Sequence, residues 1–461
     1  MAAAAFILSP DEAIQRLCRD LVRPARLLVA VSGGSDSTGL LVSLSKAARE
    51  DAGITLFAAT VDHALRPESA DEAKAVLALC VDLGIPHVTR RWEGAKPATG
   101  VSAAAREARY RLLLEVADEV DATAILTGHT LDDQAETVTM RAARSEAEDG
   151  RGLAGMAEAV LLDRRRWLVR PFLRTRRADI RAWLASQGQG WIEDPSNLDS
   201  HYERVRVRGK LTGQGSFDPG QWLRAVERRT SLSDAAAMYL RDHVTIRHGV
   251  LARLSPEGLK TEAALRRHAL SLLAAVLGGR THALGADSLE RVMAFVESGQ
   301  SGRVTAGRVI FDLRRDGLYF VRENRGMLPL HIRPSEADIW DGRYRIDNGC
   351  PQEIVVGPTA PDREEASTLF PDVPPAIAMR AASAMPHIEA ALSFPPDERN
   401  GEIAASLSEK TSAAGIDVEP VLAPFDRFLP QFDLRLGSEI AVLLGCDVFP
   451  PLPIKDSARK S

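Results

Sequence analysis

The sequence predicts an α/β fold: a parallel twisted sheet with helices on both faces, followed by a helical domain and a small divergent C-terminal region. Three observations carry this. Short apolar runs of strand length alternate with helix-period segments through the first 130 residues, as repeated βα units with crossover helices require. The first run ends in a glycine turn directly before a helix, the arrangement of a buried parallel strand. The composition, 45% hydrophobic and 26% charged over 461 residues, is that of a globular chain long enough for two or three domains.

In order, residues 26–31 form the first strand, and residues 38–49 carry Leu40, Leu41, Leu44 and Ala48 at helical spacing. Residues 54–61 are the second strand and 69–83 the second helix, stopped by Gly84 and Pro86. Residues 87–89 form a third strand, 101–120 a long amphipathic helix, 124–127 a fourth strand and 132–144 a further helix. Residues 166–172 read as another strand and 176–187 as its helix. From about 218 to 300 the pattern is helical. Residues 304–322 alternate apolar and polar side chains around Arg315-Asp316-Gly317, which predicts a hairpin turning at Asp-Gly.

The formal net charge of −5 excludes a uniformly basic nucleic-acid binder, yet residues 164–210 hold twelve Lys/Arg against five Asp/Glu. From His331 onward the balance is twelve against twenty-one, and that tail holds sixteen of the twenty-six prolines. Domain boundaries are therefore expected near 215 and 330, giving parts 1–215, 216–330 and 331–461. No run approaches eighteen uncharged apolar residues, so no membrane partner is expected. The N-terminus lacks a basic segment and meets Asp11 and Glu12 early, which points to a cytoplasmic chain. Four dispersed cysteines, Cys18, Cys80, Cys350 and Cys446, fit a reducing compartment and no thiolate zinc site.

The strongest chemical signal is Ser32-Gly33-Gly34-Ser35-Asp36-Ser37 between the first strand and first helix. Two glycines let backbone N–H groups approach an anion, and the helix N-terminus adds its dipole. Ser32, Ser35 and Ser37 bring hydroxyl donors. An aspartate inside a phosphate cradle calls for a shared cation, so Asp36 is the expected ligand of a Mg²⁺-bound pyrophosphate. The loop has neither the G-K-[ST] ending of a Walker A loop nor G-x-G-x-x-G. Asp62 and His63 follow the second strand, where such sheets bind ligands. Thr130-x-x-Asp133 is a capping box, yet Asp132, Asp133 and Glu136 also cluster just beyond a strand end. Eight arginines between 164 and 181 suit phosphate and base contacts.

The glycine loop resembles that of the N-type ATP pyrophosphatases, whose adenine nucleotide alpha hydrolase-like fold adenylates a substrate and releases pyrophosphate. Six further motifs resemble one branch, the tRNA(Ile)-lysidine synthases. They are Val61-Asp62-His63-Ala64-Leu65-Arg66, Ala105-Arg106-Glu107-Ala108-Arg109-Tyr110, Gly128-His129-Thr130-Leu131-Asp132-Asp133-Gln134-Ala135-Glu136-Thr137, Gly152-Leu153-Ala154-Gly155-Met156, Arg170-Pro171-Phe172-Leu173 and Glu193-Asp194-Pro195-Ser196-Asn197. The resemblance implies a ligase forming a carbon–nitrogen bond. ATP would adenylate the wobble cytidine of a tRNA(Ile) with a CAU anticodon, and free L-lysine would displace AMP to give lysidine. It assigns catalysis to Asp36, Arg109, His129, Asp133 and Glu136. Ser32, Gly33, Gly34, Ser35, Asp36, Ser37, Asp62 and His63 would hold ATP, with Mg²⁺ on Asp36. RNA contact falls to Arg174, Arg176, Arg177, Arg204, Arg206 and Arg208. It leaves room for a homodimer.

The chain departs from the family pattern where a second histidine of G-H-H is Thr130, and where an acidic stretch, Ser145 to Gly150, precedes Gly152-Leu153. Two rival readings are another adenylating synthetase with this loop, such as a tRNA thiolase, and a nonenzymatic RNA-binding protein. Dispersed cysteines argue against a thiolase, and the intact Asp36 and acid cluster argue against a nonenzymatic role.

Overall fold

The computed structural model describes residues 6–65, 68–144, 151–193, 207, 217–390 and 415–455. They divide into two units, one of residues 1–229, 430–432 and 450–461, the other of residues 230–429 and 433–449.

The first unit begins with helix α1 (Pro10–Asp20), held by a reciprocal capping box between Ser9 and Glu12 with Pro10 in the first turn. Then come β1 (Ala25–Ala30), α2 (Ser35–Glu50), β2 (Ile54–Asp62), α3 (Ser69–Leu83), β3 (His87–Arg91), α4 (Val101–Glu119), β4 (Ala124–Thr127) and α5 (Leu131–Arg144). A hairpin of β5 (Ala159–Leu162) and β6 (Arg166–Val169) and helix α6 (Arg177–Ser186) follow. The strands lie in the order β5-β6-β4-β1-β2-β3. All neighbours are parallel except β5, which is antiparallel to β6. Leu27, Leu28 and Val29 have no exposed surface, because helices cover both faces of the sheet. That is why β1 is a continuous apolar run rather than an alternating one.

The register positions the site. Ala30 stands opposite Ala59 of β2 and Thr127 of β4, so the three strands end together. Chain order reverses at β1, since β2 and β3 lie to one side and β4 and β6 to the other. This switch point opens a crevice at the strands' carboxyl ends. Hairpin β5–β6 was not legible in the sequence, because its turn places Asp163 and Arg164 at positive φ (46° and 55°) with no glycine to mark it. Residues 450–455 also belong to this unit: the Val22 N–H donates to Pro453 O at 2.8 Å and the Trp167 indole to Pro450 O at 3.1 Å.

Helix α7 (Pro219–His243) contains the boundary between the units. In the second unit, strands β7 (Val244–Arg247), β8 (Leu251–Leu254), β9 (Gly302–Ala306), β10 (Val309–Arg314) and β11 (Gly317–Arg322) form an antiparallel sheet in the order β7-β8-β11-β10-β9. The expected hairpin is present, with Arg314 opposite Gly317 across the turn. Helices α8 (Ala263–Leu277) and α9 (Ala286–Glu297) fall in the stretch read as helical, but β7 and β8 interrupt it. Two three-stranded antiparallel sheets follow, built from β12 (Leu330–Ile332), β13 (Ala337–Trp340), β14 (Tyr344–Asn348), β15 (Ile354–Pro358), β16 (Pro386–Ala390) and β17 (Ile416–Pro420). Short helices α10 (Arg363–Leu369), α11 (Pro375–Ser383) and α12 (Leu434–Leu443) complete it. Among the described residues no helix is long and apolar enough to cross a membrane.

Candidate active site

The loop after β1 is shaped by glycine. Gly33 has φ +85°, a conformation that strains any residue with a Cβ. Its carbonyl accepts the Ile192 N–H at 2.9 Å, which brings the segment before Glu193 against the loop. Gly34 is the N-cap of α2. The Ser37 hydroxyl accepts the Ser32 N–H at 3.1 Å, lies 3.2 Å from the Ser32 hydroxyl and donates to Gly34 O at 3.2 Å, tying the loop together. Gly128, after β4, passes so near the start of α2 that a Cβ would lie 2.7 Å from the Asp36 carbonyl oxygen. Only glycine lets these two strand ends meet.

Acids gather where the loops converge. Asp36 receives the Ser35 hydroxyl at 3.0 Å and the Arg177 Nε at 2.7 Å. Arg177 also reaches Asp133 Oδ2 through Nη2 at 3.2 Å, and its backbone N–H donates to Asp132 at 2.8 Å. One guanidinium thus stands among three carboxylates. Burial pushes the Asp36 carboxyl above its ordinary value, although Arg177 opposes this. Burial also acts on Asp133, but Arg177, His129 and the two Thr130 donors hold it below its usual value. Thr130, in the place of the family's second histidine, closes the capping box: its N–H and hydroxyl donate to Asp133 at 2.8 and 2.7 Å. Glu136, one turn further along α5 on the same face, is buried.

Basic groups surround the other side of Asp133. His129 sits with Nδ1 2.9 Å from the Thr127 hydroxyl. Burial, then Arg170, Arg109 and Arg106, push its pKa well below 6.5, against a smaller opposing pull from Asp133. Its imidazole is therefore neutral at pH 7. Arg170 is buried, donates to Ala157 O at 2.7 Å, and is lowered to about 10 by burial and by Arg106 and Arg141. Arg109, half-buried, is lowered chiefly by burial. Arg106 and Arg109 come from α4, Arg141 from α5 and Arg170 from the segment after β6, so three elements assemble one anion-seeking surface. Arg170 belongs to the arginine run expected to contact phosphate and base, Arg106 lies in a quoted motif without an assigned role, and Arg141 carries no signal in the sequence.

The remaining expected residues separate. Asp62 is buried and turns its Oδ1 back onto the Ala64 N–H at 2.7 Å, serving its own loop. His63 is lowered by burial and then by Arg109, which places it at the edge of the basic surface. Of the arginines expected to face RNA, Arg176 is exposed. Arg174 packs over the Phe6 ring at 4.1 Å, and Arg177 turns inward to the acids, a placement opposite to that expectation. Arg181, not singled out, donates to Ser35 at 3.3 Å. Arg66, Arg204, Arg206, Arg208 and the acidic stretch 145–150 lie outside the described residues. Gln134 is buried and donates to Met156 O at 3.2 Å while accepting the Met156 N–H at 2.8 Å. It fixes the Gly152–Met156 segment beneath the site.

A phosphate-cradling glycine loop at the switch point of a parallel sheet, beside an acid cluster, defines an ATP-utilising PP-loop domain. The PP-loop domain family matches residues 9–214. A tRNA(Ile)-lysidine synthase of Rhizobium meliloti (strain 1021) is 40% identical over 452 residues, covering 95% of this chain and 96% of that protein. One of Mesorhizobium japonicum is 40% identical over 442 residues, covering 93% and 94%. One of Brucella canis is 34% identical over 448 residues, covering 92% and 96%. The chain belongs to the tRNA(Ile)-lysidine synthase family, ligases that form a carbon–nitrogen bond.

Proposed function

We propose that this chain adenylates the carbonyl oxygen of the wobble cytidine in a CAU-anticodon tRNA(Ile), and that the side-chain amine of free L-lysine then attacks the carbon bearing that oxygen. Pyrophosphate leaves in the first step. AMP leaves in the second, as the new C–N bond forms and the amine gives up a proton. The observation that carries this reading is the pairing of two opposite surfaces in one crevice: carboxylates for cations, guanidiniums for anions.

The residues fit a divalent cation. Two carboxylates share the Arg177 guanidinium and a third takes its backbone N–H, and Asp36 is an acid whose burial Arg177 does not fully offset. No group of three or more His, Cys, Asp or Glu side chains among the described residues would hold a metal alone. Mg²⁺ commonly uses one or two carboxylates plus substrate phosphates, and Asp36 is the carboxylate in the loop. When bound, the ion would neutralise charge on the departing pyrophosphate. The Gly33–Ser37 backbone and hydroxyls bind and orient the phosphates. Arg109 faces the activated base and its phosphate, with Arg106 and Arg170 sustaining the positive field.

Asp133 and Glu136 bind the lysine ammonium groups. The guanidiniums that keep His129 neutral also disfavour a second cation beside it, so an amine held there loses its proton more readily. Arg176, an exposed member of the arginine run, meets tRNA backbone, and Arg174, Arg204, Arg206 and Arg208 are assigned the same role. Four cysteines that form no disulfide suit a cytoplasmic setting.

The test is ATP- and lysine-dependent modification of a CAU-anticodon tRNA(Ile) transcript, with pyrophosphate release followed separately. The wild-type chain is expected to form lysidine. Asp36→Asn, which keeps shape but removes charge, should lose at least about 100-fold in pyrophosphate release. Failure of the wild type to modify the transcript, or near-normal release by the variant, overturns the reading.

A further inference from the structure

The Arg177 side chain touches both halves of this site. Its Nε donates to Asp36 Oδ2 at 2.7 Å and its Nη2 to Asp133 Oδ2 at 3.2 Å. The two carboxylates belong to different elements, α2 and α5. The guanidinium and both acids are largely buried, with side-chain exposures of 19%, 19% and 14%. Its backbone is pinned as well, since the Arg177 N–H donates to Asp132.

On the proposed reading, in which Asp36 serves the nucleotide and Asp133 the lysine, this arginine occupies the carboxylate oxygens that both incoming cations need. We propose that Arg177 is a shared counter-ion that couples the two half-sites, so that Mg²⁺–nucleotide and lysine bind with positive cooperativity. A guanidinium is a rigid plane whose donors move together. A divalent cation at Asp36 takes the oxygen that Nε holds and repels the remaining charge at a few ångströms, in a site poorly screened by water. Withdrawal from Asp36 therefore also withdraws Nη2 from Asp133 and opens that acid to an ammonium. The reverse holds equally, because lysine at Asp133 loosens the same plane from Asp36. Whichever ligand arrives first displaces the arginine, and the second meets a vacated carboxylate. Such linkage is reciprocal. The raised pKa of Arg177, to which Asp133, Asp36 and Asp132 all contribute against burial, is consistent with one cation held by three acids. The arrangement makes Arg177 a positioning residue, and it favours loading of both substrates before either step begins.

The experiment is calorimetric titration of L-lysine into the full chain, with and without Mg²⁺ and the non-hydrolysable analogue α,β-methylene-ATP. In the wild type, Mg²⁺ with the analogue is expected to tighten lysine binding by about 5- to 150-fold, the usual span of such couplings. Arg177→Met should bind lysine more tightly than wild type without nucleotide and show no further tightening with it. Arg177→Lys keeps the charge but reaches one carboxylate at a time, and it should also lose the coupling. Unchanged or weakened lysine binding on adding Mg²⁺ and analogue to the wild type overturns the proposal, as does coupling that persists in Arg177→Met. Asp133→Asn separates the two levels: if it binds lysine as well as wild type, the lysine-site assignment itself fails. If it loses lysine while the wild type shows no coupling, only the role of Arg177 fails.

Discussion

The two units each bury a network of acids and guanidiniums, and the stoichiometries are inverse. In the first, Arg177 serves Asp36, Asp132 and Asp133. In the second, Asp341 serves Arg308, Arg322 and Arg343. Asp341 is 1% exposed and Arg322 has no exposed side-chain surface. Arg322 grips Asp341 with both Nε and Nη2 at 2.9 Å, and Arg343 adds Nε at 2.6 Å. Several spare donors there go to main-chain carbonyls, Arg343 Nη2 to Ala384 at 2.7 Å and Arg308 Nη1 to Gly278 at 3.2 Å, although Arg343 Nη1 is buried without a partner among the described residues. The surplus positive charge is absorbed by the protein's own dipoles, tying loops together. In the first unit the surplus is negative and lies in a crevice at strand ends. A buried charge network is structural when the fold closes it, and a binding site when the fold leaves its surplus to a ligand.

The sharpest way to break this contrast is Asp341→Asn. It leaves three guanidiniums around a neutral amide, and removing one partner of a buried ion network costs about 3–5 kcal/mol. Urea unfolding followed through Trp340, stacked on Tyr344, should show that loss. A cost under about 1 kcal/mol would mean that the network does not hold this unit together. Glu136→Gln tests the opposite claim in the first unit. It should raise the KM for lysine by about 10- to 100-fold, as loss of a charge partner worth 1.5–3 kcal/mol does, while lysine-independent pyrophosphate release stays near wild type. Equal losses in both steps would assign this acid to the ATP half instead.

The smallest expected effect is on pH dependence. The His129 pKa is depressed in the folded chain, so below pH 6.5 the unfolded chain binds a proton that the folded chain does not. Stability from this group is complete above 6.5 and declines as pH falls toward its folded value. His63 and His87 are lowered in the same sense, each mainly by burial. His129→Gln should therefore shrink, without abolishing, the drop in melting temperature between pH 7.5 and 5.5. An unchanged drop would mean that the imidazole is not held neutral by Arg170, Arg109 and Arg106.

Much of this molecule was legible in one dimension. The β1–α2 loop needed only its glycines and the apolar run before it, because left-handed backbone and buried strands leave local marks. The capping role of Thr130 and Asp133 followed from their spacing, and Ser9-Pro10 with Glu12 is an equally clear local signal for α1. Hairpin β7–β8 left no such mark. Its strands are four residues long, and β8 is fixed by pairing with β11, more than sixty residues on.

The sequence by itself determined the parallel sheet, the phosphate loop, the acid cluster and the family resemblance, since each depends on neighbours within a turn or a strand. Tertiary structure alone decided the partners of Arg177, which lie 141 and 44 residues away, and gathered Arg106, Arg109 and Arg170 around one neutral histidine. Those outcomes depend on which strand ends align across the sheet and on what charge they bring together. Periodicity encodes which face of an element is buried, but not which charges meet there.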